Sequence, residues 1–131
     1  AKEGCVDVAA VGNEVMYRKE LTEEQLIGYI NRVKEALPGI PVGYVDAYYQ
    51  FVESQKLIDA CDVILVNCYP FWEGCNIEQS SIYLKQMYAV TQQFAKGKPV
   101  IITETGWPNK GEQYGGAVPS YQNAMTQLLA T

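Results

Sequence analysis

The amino-acid sequence predicts an α/β fold of four βα units with parallel strands, and three observations predict it. Four short runs rich in β-branched residues, at 6–11, 42–45, 63–66 and 100–103, are each bounded by Gly, Pro, Asn or Asp. Between and after them lie stretches whose apolar residues recur at helical spacing. The order is therefore βαβαβαβα, and such alternation brings successive strands together in parallel through right-handed crossovers.

The first strand is expected over residues 6–11. Thr22-Glu23-Glu24-Gln25 then has the spacing of a capping box, in which a threonine hydroxyl and a glutamine amide satisfy each other's backbone N–H groups. Leu26, Ile30, Val33 and Leu37 continue one apolar face of that helix until Pro38-Gly39 stops it, and the second strand begins near Pro41. A weaker helix is expected over residues 49–60, followed by the third strand. Tyr83, Met87, Val90 and Phe94 mark the apolar face of the next helix. After the fourth strand, a last helix follows Pro119-Ser120 through Tyr121, Ala124, Leu128 and Leu129.

With 131 residues, 48% hydrophobic and 19% charged, residues 1–131 can form a single domain with its own core. No window approaches the ~20 apolar residues of a membrane span, and Ala1-Lys2-Glu3-Gly4-Cys5 has no signal-peptide pattern, so no membrane partner is expected. A net charge of −5, with acids and bases interspersed, argues against nucleic acid and suits a neutral substrate. The absence of histidine excludes Ser-His-Asp and Cys-His catalysis within these residues and leaves carboxylates as the acid–base resource. Cys5, Cys61, Cys68 and Cys75 form no C-x-x-C pair, so no metal is expected; disulfides and buried thiols explain them equally well. Neither G-x-G-x-x-G nor a P-loop is present, and no cofactor is expected.

Asn13, Glu14, Asp46, Asn67 and Glu104 fall at the C-terminal ends of the expected strands. An active face is built that way in a (β/α) barrel, which selects a barrel over an open doubly wound sheet. A full barrel takes about 250 residues, so four units make part of one. Two strand edges are then left open, to be covered by the missing barrel part, a second copy or extra segments.

Val11-Gly12-Asn13-Glu14-Val15 and Ile101-Ile102-Thr103-Glu104-Thr105-Gly106-Trp107-Pro108 each put a glutamate just past a strand, on one rim. Retaining cleavage of a glycosidic bond needs two such carboxyl groups about 5–5.5 Å apart, one to protonate the leaving oxygen and one to attack the anomeric carbon.

These two motifs, with Asn67-Cys68-Tyr69-Pro70-Phe71, resemble glycoside hydrolase family 17, the β-1,3-glucanase and glucanosyltransferase family. Tyr114-Gly115-Gly116-Ala117-Val118-Pro119-Ser120 and Asn123-Ala124 are similar to its fungal and bacterial members. The resemblance implies a (β/α)8 TIM barrel in which the present strands are numbers four to seven, strands one to three and eight being absent. It implies that Glu14 is the acid/base and Glu104 the nucleophile of an endo-acting hydrolase of β-1,3-glucan working by double displacement. A glucanosyltransferase with the same residues, or a non-catalytic glucan-binding part of a barrel, are the alternatives. A secreted, cell-wall or periplasmic setting follows from the same resemblance.

Around this pair, Asn13 is placed to hydrogen-bond the sugar 2-hydroxyl, and Tyr69, which shares the strand parity of Asn67, to hydrogen-bond Glu104. Phe71, Trp72 and Trp107 lie on rim loops, where they suit either stacking on pyranose rings or packing among the loops. Tyr44 is expected to line the cleft with Asp46, with Tyr48 and Tyr49 extending the wall. Glu73, Glu78 and Glu112 read as solvated loop charges. Cys5 and Cys61 both precede strands, and at the bottom of the barrel a disulfide between them would be structural.

Overall fold

In the computed structural model, which describes residues 3–131, four strands form one parallel sheet in chain order. They are β1 (Ala9–Asn13), β2 (Val42–Ala47), β3 (Val63–Asn67) and β4 (Val100–Glu104). The crossovers carry α1 (Glu23–Ala36), α2 (Tyr48–Val52), α3 (Gln55–Ala60) and α4 (Ser80–Phe94), and α5 (Tyr121–Ala130) follows β4. Two single 3-10 turns, Pro70–Glu73 and Ile77–Gln79, fill the connection between β3 and α4.

Local chemistry sets most of these boundaries. Thr22 caps α1 as its spacing predicts: Gln25 N donates to Thr22 Oγ1 at 3.3 Å and Thr22 N to Gln25 Oε1 at 3.0 Å. The expected helix over 49–60 is two helices, because Ser54 leaves the helical conformation and its Oγ accepts from Leu57 N at 3.2 Å, starting α3 afresh. The first strand begins at Ala9 rather than residue 6, since its partner β2 begins opposite it at Val42. On α4 the buried positions are Ser80, Leu84, Met87 and Thr91, while Val90 and Phe94 face outward. Thr91 is tolerated inside because its hydroxyl donates to Met87 O at 2.8 Å.

One face of the sheet packs on the helices. Val42, Tyr44, Ile64, Val66 and Cys68 meet Leu26, Ile30, Phe51, Leu57, Ile58 and Met87 there, nearly all with no exposed surface. β3 is buried along its whole length, with β2 and β4 paired on either side of it. The opposite face carries Val45, Val63, Leu65 and Ile101, and it is most exposed at β4, where Ile101 is 43% exposed. All four cysteines are free, which corrects the pairing of Cys5 with Cys61: Cys61 is buried in the helix-side core and Cys5 is exposed.

Two register shifts decide where the C-terminal ends of β1 and β4 point. Ala10 pairs with Gly43 and Asn13 with Val45, so three steps along β1 match two along β2. Ile102 pairs with Val66 and Glu104 with Asn67, so two steps along β4 match one along β3. Each shift inserts one residue and reverses the alternation of side chains beyond it. Ile102 faces the helices, and two positions later Glu104 nevertheless faces the side of Asn67 and Tyr69.

Candidate active site

Gly12 lies within the first shift at φ +76°, a conformation glycine adopts freely. Glu14 follows at φ 56°, a left-handed conformation that costs a side-chain-bearing residue about 1–2 kcal/mol. Three backbone amides of the turn it opens are held by three consecutive residues of β2. Glu14 N donates to Val45 O at 2.8 Å, Met16 N to Tyr44 Oη at 3.0 Å, and Tyr17 N to Asp46 Oδ2 at 3.4 Å.

The Glu14 carboxyl points over the end of β3. Asn67 Nδ2 donates to Glu14 Oε1 at 3.1 Å and to Asn13 Oδ1 at 3.3 Å, while Asn67 Oδ1 accepts from Thr103 Oγ1 at 2.7 Å. Thr103 Oγ1 also lies 3.1 Å from Val66 O, so the hydroxyl ties the side chain of Asn67 to the backbone of β3. Arg18 Nη2 donates to Asn13 O at 2.7 Å, and its guanidinium stays 4.0 Å from Glu14 Oε2, half-exposed and worth little as an ion pair. On the other side of the site, Tyr69 Oη donates to Glu104 Oε2 at 2.8 Å. Burial, and then the bond to Glu104, push the Tyr69 hydroxyl up to about 12, so it stays protonated and donates at any working pH.

Glu14, Asn67, Tyr69 and Glu104 line a single pocket of about 420 Å3, together with Tyr17, Tyr48, Tyr49, Trp72 and Glu73. The two expected carboxylates and Tyr69 are thus brought together, with Asn13 beside them. Tyr44, Phe71 and Trp107 are not on the pocket wall, which corrects their expected place there. Tyr44 is wholly buried under the turn after β1, where its hydroxyl donates to Asp46 Oδ2. Phe71 and Trp107 pack edge-to-face 5.3 Å apart in a small cluster with Ala117, and Trp107 Nε1 donates to Val118 O at 2.9 Å. Loop packing has claimed both rings. Trp72, 62% exposed and edge-on to Phe71 at 4.9 Å, is the indole that faces the pocket.

Tyr17 and Arg18 carried no sequence signal, Thr103 entered only as part of a motif, and Glu73 is an exposed acid that also lines the pocket. Burial, followed by the nearby Glu73, pushes Tyr48 up to about 12. Asp46 is wholly buried; burial raises its pKa, against the lowering effect of the Tyr44 hydroxyl and the amides of Ala47 and Tyr17.

A parallel β/α sheet with two glutamates, tyrosines and an exposed tryptophan at its C-terminal rim has the arrangement of part of a (β/α) barrel with its active face. The chain belongs to the BtgE/BtgC glycoside hydrolase domain family, whose match covers residues 1–131. A glucan 1,3-beta-glucosidase of Candida albicans, BGL2, is 36% identical to it over 93% of this chain and 46% of its own length. A probable glucan endo-1,3-beta-glucosidase of Aspergillus fumigatus, eglC, is 33% identical over 89% of this chain and 31% of its own. A cell surface mannoprotein of Candida albicans, MP65, is 32% identical over 91% of this chain and 33% of its own. The crystal structure of a glycoside hydrolase family 17 beta-1,3-glucanosyltransferase from Rhizomucor miehei superposes with a TM-score of 0.85 at 36% identity, over 94% of this chain and 46% of that one. An active-site mutant of the same transferase in complex with laminaritriose gives 0.88 at 35% identity, over 97% and 48%. The chain therefore spans between about a third and a half of the length of the relatives it matches.

Proposed function

We propose that the barrel to which this chain contributes cleaves β-1,3-glucan with retention of configuration, Glu14 serving as acid/base and Glu104 as nucleophile. The observation that carries this reading is the shared pocket, in which Glu104 is held by Tyr69 and Glu14 by Asn67. In the first step Glu14 gives its proton to the glycosidic oxygen while Glu104 attacks the anomeric carbon, and the C–O bond to the leaving chain breaks. The bond from Tyr69 occupies Oε2 of Glu104 and leaves Oε1 free to attack. In the second step ionised Glu14 takes a proton from the incoming hydroxyl, which attacks the same carbon and releases the Glu104 carboxylate.

Water as the incoming group makes an endo-acting glucanase and a sugar hydroxyl makes a glucanosyltransferase; similarity to the Rhizomucor miehei transferase supports keeping the second reading. Asn13, adjacent to Glu14 and bonded to Asn67, serves the sugar 2-hydroxyl, and the exposed face of Trp72 stacks on a pyranose ring. The substrate is a polymer that does not cross membranes, which supports a setting outside the cell or in its wall. The remaining barrel strands, on this chain or another, cover the open edges of β1 and β4.

The test is hydrolysis of laminarin by the full-length chain that carries these residues, with NMR detection of the anomer first released. The β-anomer is expected. Glu104→Gln and Glu14→Gln should each lower turnover by at least about 100-fold. Release of the α-anomer, or turnover unchanged in Glu104→Gln, would overturn the reading; binding of laminarin without turnover would make the site a glucan-binding one.

A further inference from the structure

Asp46 is a carboxylate with no exposed surface and no ion-pair partner among the described residues. Such a group is costly to bury, and an apolar residue would fill its place on the helix-side face of β2 at lower cost. It is kept satisfied by three donors: the Tyr44 hydroxyl and Tyr17 N at Oδ2, and Ala47 N at Oδ1, 2.7 Å away. Tyr44, two residues earlier on the same face, is equally buried and its ring packs against Phe51 at 6.0 Å. Its hydroxyl passes one hydrogen bond to Asp46 and receives another from Met16 N.

Both anchor points on the facing segment lie within three residues of Glu14, on a turn that begins in a left-handed conformation. A glutamate leaves that conformation readily unless its surroundings hold it. β2 does so with one backbone carbonyl, from Val45, and with these two side chains. Both of these bonds are accepted by side chains, and neither belongs to the backbone pairing of β2.

We propose that Tyr44 and Asp46 are the positioning residues of Glu14: a buried tyrosine–aspartate pair that grips the amides of Met16 and Tyr17 and so fixes where the acid/base carboxyl stands. Neither touches substrate. The proposal rests on the acid/base role given to Glu14 above, and the consequence is specific to proton transfer. A displaced acid slows departure of a poor leaving group, such as a glucan chain, and hardly matters for one that leaves as a stable anion. Loss of folded protein alone would lower both alike.

The experiment compares kcat/KM, which reports the first chemical step, for a laminari-oligosaccharide and for a dinitrophenyl β-laminaribioside, using the full-length chain. Asp46→Asn is expected to lose roughly 10- to 100-fold on the oligosaccharide and under about threefold on the dinitrophenyl substrate. Tyr44→Phe, which keeps the buried ring and removes only the hydroxyl, should show the same contrast at about 3- to 10-fold, and serves alone if Asp46→Asn does not fold. With the dinitrophenyl substrate, azide, an anionic nucleophile that needs no base, should speed release of the laminaribiosyl intermediate in both variants and form the β-laminaribiosyl azide. Glu14→Gln must show the same contrast more strongly; if it does not, the acid/base assignment falls. If Glu14→Gln shows it while Asp46→Asn and Tyr44→Phe lower both substrates equally, or neither, the positioning proposal is wrong.

Discussion

Tyr69 and Glu104 meet at 2.8 Å only because the extra residue in β4 turns the glutamate away from the face that Val100 and Ile102 occupy. A hydroxyl that donates to a carboxylate contributes about 1.5–3 kcal/mol, and the partly exposed setting of this pair favours the lower end. Tyr69→Phe should therefore lower kcat on laminarin about tenfold with little change in KM, since the bond orients a group that acts on bound substrate; steady-state kinetics will separate the two parameters. Much at this scale was legible in the sequence. Glu14 and Glu104 stand at the ends of β1 and β4, as their motifs place them, and Tyr69 lies on the side of Asn67, as strand parity gives. Phe71 and Trp72 were not distinguishable, because neighbours in a 3-10 turn point about 120° apart and only the contact of Phe71 with Trp107 shows which ring faces inward. Tyr44 was misplaced for a similar reason: parity gives the face of β2 it occupies, but not that the turn after β1 covers it.

The same limit operates on whole elements. Capping chemistry is local, so Thr22 announced α1 without help from the rest of the chain, whereas the shifts in β1 and β4 exist only between strands and leave no period in either alone. The apolar stripe on α4 failed because Val90 and Phe94 fit a helical period that no neighbouring element covers, while Thr91 is buried despite its polarity. Gly43 shows how tightly the strands themselves are fitted. A Cβ there would stand 2.5 Å from Val63 O and 2.9 Å from Val63 Cγ1, and the first is backbone within the β2–β3 pairing that cannot swing aside. Gly43→Ala is accordingly expected to destabilise the fold by about 1–3 kcal/mol, read as a lower urea midpoint by circular dichroism with an unchanged slope. An unchanged midpoint would mean that β2 and β3 are further apart than described.

For the whole molecule, the face of the sheet turned away from the helices carries uncovered apolar surface. Its lower part is a mainly apolar hollow of about 420 Å3 lined by Val8, Ile40, Pro41, Val63, Pro99 and Ile101 together with Gly39 and the charged Asp62, on a sheet whose edge strands are β1 and β4. Further apolar surface lies on α5, where Leu128 is 66% and Leu129 81% exposed. Each such side chain gains about 1.5–3 kcal/mol when covered, and an open parallel edge presents unpaired amides and carbonyls to any strand of suitable register. The chain aligns with only 46–48% of the Rhizomucor miehei transferase, which leaves more than half of that structure available to cover the corresponding surface there. Residues 1–131 produced alone should therefore sediment as species heavier than the 14.6 kDa monomer, in proportion to concentration. Ile101→Lys, which places a charge in the hollow without touching the helix-side core, should shift that equilibrium toward the monomer while leaving the far-ultraviolet circular dichroism unchanged. A monomer at every concentration, with Ile101 as the wild type has it, would show that the hollow and the free edges are stable in water, and the need for a covering partner would be lost.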